Sequence, residues 1–152
     1  MLETQPIKKK KKLVNNRRKS RELVMKSIYR GILNQFDINQ IKKDIKDDPD
    51  FNRADEEFYN QIFGGVSENI NDLHAEIQTY LDRDLSELSP IELSIIYGAL
   101  YELKFFPEVP YRVVINEAIE IAKAFGGSDG FKFINGVLNK AAKENRKEEF
   151  LI

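Results

Sequence analysis

The chain has 152 residues, 41% hydrophobic and 32% charged, a balance that fits one globular domain able to bury about two-thirds of its unfolded surface. It has no cysteine, which excludes a disulfide framework and thiolate metal sites, and no apolar run near the ~20 residues that span a bilayer. The net charge of −1 conceals an uneven distribution: residues 1–21 hold nine Lys/Arg against the single acid Glu3, net +8, which leaves 15 basic and 24 acidic residues beyond them, net −9.

Residues 1–16 carry five consecutive lysines (8–12) and Pro6 without apolar periodicity, so a disordered basic extension is expected there. No apolar segment follows the lysines as a secretory signal would require, and the expected location is the cytoplasm. From Ser20, Val24, Ile28 and Ile32 recur at four-residue spacing and predict a helix. Extended backwards, its apolar line runs into Arg21 and Arg17. These would overhang the end of the stripe, a position that suits an outside partner better than an internal one. A short helix is expected over Ile38–Ile45. Phe58, Ile62, Val66, Ile70, Leu73, Ile77 and Leu81 then predict one long helix or two abutting ones, with Gly64-Gly65 marking a kink or a close crossing.

The next start is written in the sequence as a capping box: Ser89 before Pro90, with Glu92 three residues after the cap. That helix runs through Ile95, Ile96, Ala99, Leu100 and Leu103 until Pro107 and Pro110 break it. A further helix begins near Tyr111 with Val114, Ala118, Ile121, Ala122 and Phe125 on one face. Gly126 is expected to end it in the left-handed conformation, and Ser128 or Asp129 to cap a last helix carrying Phe131, Ile134, Val137, Leu138 and Ala141. The charged residues after it are expected to fray. No segment alternates with period two, so the fold class is all-α, about seven helices.

Familiar reaction chemistry is missing. A lone His74 without cysteines makes no ordinary zinc site, and no phosphate-binding P-loop or G-x-S-x-G elbow occurs. Gly126, Gly127 and Gly130 lack dinucleotide spacing and follow a helix rather than a strand. The carboxylates of Glu92, Glu102, Glu117 and Glu120 read as solvated surface. No enzyme activity, cofactor or metal is expected.

What remains is the arginine-rich start, Arg17-Arg18-Lys19-Ser20-Arg21-Glu22, with Tyr29 beyond it, and the long carboxyl-half stretch VPYRVVINEAIEIAKAFGGSDGFKFINGVLNKAA. Together with LSPIELSIIYGALYEL these closely resemble the NusB family of bacterial transcription antitermination factors, from about Arg17 to Ala142. The resemblance implies an all-helical domain over 17–145, split into subdomains at about 17–82 and 83–145, with 146–152 a frayed tail. It implies no enzyme. It further implies binding of boxA-type single-stranded RNA from ribosomal RNA leaders with the ribosomal protein NusE, inside the RNA polymerase antitermination complex, without a membrane. By matching position, Arg17, Arg18, Arg21, Asp129, Lys132 and Phe133 are the RNA-facing set, and Arg112 adds positive potential. The resemblance further makes Tyr29, Tyr80, Glu92 and Tyr111 candidate contacts to RNA or NusE.

Each has a plainer alternative. Glu92 and Asp129 suit helix capping, and Tyr29 and Tyr111 suit the core boundary. Phe133 is free to face outward because Ile134, Val137 and Leu138 supply the inward stripe. Lys19 stands where arginine is frequent in the family, keeping charge but losing bidentate geometry. Two other functions stay open: a helical module of an RNA cytosine methyltransferase, and a bundle that binds protein alone. Monomer and homodimer are both compatible with the sequence.

Overall fold

A computed structural model describes residues 6–127 and 129–151. Seven α-helices follow one another: α1 (Pro6–Leu33), α2 (Ile38–Ile45), α3 (Glu56–Glu68), α4 (Ile70–Thr79), α5 (Pro90–Phe105), α6 (Tyr111–Phe125) and α7 (Gly130–Asn145). Short 3₁₀ turns lie at Phe51–Arg53, Leu85–Glu87 and Lys147–Phe150. The described residues contain no strand, and the all-α expectation holds.

The apolar patterns explain most boundaries. Helix α2 has the expected span, and its N-cap Asp37 accepts the Gln40 N–H at 3.1 Å. Asp55 caps α3 in the same way at Phe58. The α5 capping box forms as written: Ser89 Oγ accepts the Glu92 N–H at 3.1 Å, and Glu92 Oε1 accepts the Ser89 N–H at 3.3 Å. Helix α5 is apolar nearly all round, as a helix enclosed by others must be. It packs against α1, α3, α4, α6 and α7. The buried side chains form one cluster from Leu23 to Ala142. The two expected subdomains therefore share a core across residue 82.

Four features depart from the sequence expectation or decide between its alternatives. First, α1 begins at Pro6 and takes in the lysine run. Lysine is a good helix former, and proline suits a first helical position. Second, the break in the long apolar stretch falls at Asn69, whose amide and side chain both donate to the Gly65 carbonyl. Gly65 serves the other suggested purpose, a close crossing. A Cβ there would lie 2.0 Å from the Tyr101 ring of α5.

Third, Gly126 ends α6 in extended backbone, φ −97° and ψ −175°, rather than left-handed. Asp129 precedes α7 without a side-chain capping bond. Ser128 lies outside the described residues. Fourth, the end of the chain is anchored. The Arg146 side chain, 5% exposed, donates to the carbonyls of Leu103 (2.7 Å), Val109 (2.8 Å), Phe106 (2.8 Å) and Glu102 (3.2 Å), and pairs with Glu149. One guanidinium thus gives a donor to the Leu103 carbonyl at the end of α5 and a second donor to those of Glu102 and Phe106, which also accept the Phe106 and Val109 N–H.

Candidate nucleic-acid interface

Arg18 and Arg21 of α1 lie against α6 and α5. Two contacts in each pair fix the directions of the helices. Arg18 meets Glu117 and Lys26 meets Phe125, so α1 runs parallel to α6. Arg21 meets Glu102, and a Cβ on Gly98 would touch Val24, so α1 runs antiparallel to α5.

Arg21 is not an overhanging surface cation. Its side chain is 9% exposed and forms two hydrogen bonds with Glu102, at 2.8 and 2.9 Å, while its remaining edge lies 3.8 Å from Glu117. The apolar stripe of α1 does not end in solvent; α5 and α6 cross it there and supply buried carboxylates. Arg18 is different. Its Nε and Nη2 donate to the two Glu117 oxygens at 2.9 and 2.7 Å, but its side chain remains 44% exposed. The Glu117 hydrogen bond and charge hold the Arg18 pKa above its ordinary value. Arg17 lies over the Phe58 ring at 4.4 Å, with its Nε buried and without a partner. Lys19 sits 3.6 Å from Asp50 and 3.7 Å from Glu22.

The turn between α6 and α7 presents the opposite picture. Asp129 and Lys132 are exposed and 3.6 Å apart. Each phenylalanine of the stretch FGGSDGFKF has a cation over its ring: Lys26 on Phe125 at 5.7 Å, Lys123 on Phe131 at 5.1 Å and Arg83 on Phe133 at 4.6 Å. Glu92, besides closing its capping box, reaches this turn; a Cβ on Gly130 would lie 2.6 Å from Glu92 Oε2.

The remaining candidates lie elsewhere. Tyr111 and Arg112 occupy the far end of α6, about 20 Å of helix from the turn. Tyr111 stacks on Phe150 at 4.5 Å, and Arg112 Nε donates to the Tyr111 hydroxyl at 3.2 Å. Arg112 also borders a groove with Asn116, Asn135 and Asn139. Tyr29 is half-buried. Tyr80 belongs to an internal polar cluster: its hydroxyl donates to Glu76 at 2.6 Å, and Glu76 also accepts from Lys104 and Asn145.

Sequence reasoning missed three participants. Arg83 lies between Asp82 and Asp84, where its charge disappears into the local balance. Glu102 and Glu117, expected at the solvated surface, are buried. A signal for Glu117 existed: it shares the apolar face of Val114, Ala118 and Ile121, where an acid requires a partner. His74 is exposed and 2.9 Å from the Tyr97 hydroxyl. The described residues contain no acidic, histidine or cysteine cluster suited to a metal, and no helix among them is long and apolar enough to cross a membrane.

A bundle around one enclosed helix, with cations set over the rings of the α6–α7 turn, defines the class as an all-α helical bundle. The model of the NusB family matches residues 18–143, and the chain belongs to that family. It is 53% identical over 135 residues to the transcription antitermination protein NusB of Methylobacillus flagellatus, covering 89% of this chain and 88% of that one. The protein of the same name from Neisseria meningitidis serogroup C is 46% identical over 133 residues, covering 88% and 94%. A solved structure of T. maritima NusB superposes with a TM-score of 0.77 at 33% identity, covering 89% of this chain and 96% of that one. The family's named role is not enzymatic.

Proposed function

We propose that the chain is a cytoplasmic transcription antitermination factor. It binds boxA-type single-stranded RNA together with NusE and so promotes processive transcription of ribosomal RNA operons within the antitermination complex. The observation that carries this reading is the turn from Phe125 to Phe133, where three rings alternate with Lys26, Lys123 and Arg83. Single-stranded RNA is bound by stacking its unstacked bases on such rings and guanidinium planes, while neighbouring cations hold the phosphates. Lys132, Arg18 and Arg112 extend the positive surface beyond the turn, and the acidic remainder of the chain suits a basic protein partner.

The test is a titration of boxA-type and scrambled RNA, with and without NusE, at two salt concentrations. Binding is expected to favour boxA, to weaken with salt and to tighten when NusE is added. Equal affinity for both RNAs in every condition would refute the reading.

A further inference from the structure

The two bidentate arginines of α1 differ in one respect that the sequence does not show. A guanidinium has two edges able to hold an oxyanion in a fork, one through Nε and Nη2 and one through Nη1 and Nη2. Arg21 uses both, the first on Glu102 and the second toward Glu117. Arg18 uses only the first, on Glu117. Its second edge has no partner among the described residues and belongs to a side chain 44% exposed.

From this we infer that Glu117 is a positioning residue: it grips the inner edge of Arg18 so that the outer edge is presented to an RNA phosphate, while Arg21 acts from within as a strut. The inference rests on the RNA-binding reading above.

The chemistry supports this division. Glu117 is buried between two arginines, so the carboxylate is itself fixed, and a fixed carboxylate orients the planar group bonded to it. Lysine at position 18 could not replace arginine. Its single ammonium would have to choose between Glu117 and the phosphate. In this geometry the carboxylate and the phosphate occupy adjacent edges, each using its own Nη2 hydrogen, and do not compete for the same donors. Glu117 limits the rotamers of Arg18 that binding would otherwise have to freeze.

The experiment measures boxA-type RNA affinity for the full chain and for Arg18→Ala, Arg18→Lys, Glu117→Gln and the Arg18→Ala/Glu117→Gln pair, with a thermal melt on each. Arg18→Lys is expected to bind about tenfold more weakly than wild type despite its retained charge. Glu117→Gln is expected to bind about fivefold more weakly, and its effect should vanish in the Arg18→Ala background. A purely structural loss at Glu117 would persist in that background. Wild-type affinity in Arg18→Lys would overturn the inference. So would tighter binding in Glu117→Gln, which would mark Glu117 as a competitor of RNA. Absence of wild-type preference for boxA over a scrambled RNA would instead remove the RNA reading and this inference with it.

Discussion

The start of α1 and the turn between α6 and α7 carry similar residue types and use them in opposite ways. At α1, Arg21 is sealed between Glu102 and Glu117, and Arg18 shows one edge. At the turn, cations lie over rings and Lys132 stands in solvent with only Asp129 near it. The arginine-rich stretch 17–21 is thus partly neutralised in the fold, while the turn, with no arginine of its own, borrows cations from α1, α6 and the segment before α5. Charge counted along a chain measures what is available for binding; burial decides what is used.

The sharpest way to break this contrast is to remove a sealed charge. Arg21→Ala leaves Glu102 buried without its partner and is expected to cost about 3–5 kcal/mol of stability, read by chemical denaturation. A loss below 1 kcal/mol would mean the pair is not clamped. At the turn, Phe133→Ala is expected to weaken RNA binding by about 1–3 kcal/mol if a base stacks there, measured by titration. Asp129→Asn should tighten RNA binding by up to about 1 kcal/mol, because it removes a repulsive charge while no capping bond is lost. Clearly weaker binding would show that Asp129 reads a base donor. Lys132→Ala is expected to stay within about 0.5 kcal/mol of wild-type stability while lowering the salt slope of RNA binding by about one; a melting temperature well below wild type would place Lys132 with Arg21.

The mildest contrast is with pH. Burial pushes the Glu76 carboxyl up, but hydrogen bonds from Asn145, Lys104 and Tyr80 outweigh it and hold the pKa below the ordinary 4.5. A depressed carboxyl pKa contributes stability that is present above the unfolded value and is lost as pH falls through the folded one. The melting temperatures of wild type and Glu76→Gln should therefore differ at neutral pH and converge as pH falls below the ordinary 4.5 and through the lower folded value. A constant difference across that range would assign the loss to packing.

Local signals made most of the fold legible. The Ser89–Glu92 box, the bounds of α2, and the apolar faces of α6 and α7 need only neighbouring residues to be read. What stayed hidden depends on residues distant in sequence. Gly65 makes sense only against Tyr101, and Arg21 only against Glu102 on another helix. The Gly64-Gly65 pair did not break the helix, because packing against α5 offsets its low propensity. At the candidate interface, residue types were readable but accessibility was not. Periodicity placed Arg17 and Arg21 in line with the core and could not say whether the core continued there. Arg83 escaped because its partner ring is fifty residues away.

Arg146 has a consequence for how the molecule is handled. It lies beyond the stretch matched by the family model, yet its side chain closes the end of the central helix like a bolt. Trimming the chain at residue 145, on the view that a charged tail is dispensable, would remove the Arg146 donor from four carbonyls of the α5 end and the turn after it, of which Glu102 and Phe106 keep a backbone N–H. A tag placed after Leu151, which is exposed, would leave that bolt in place.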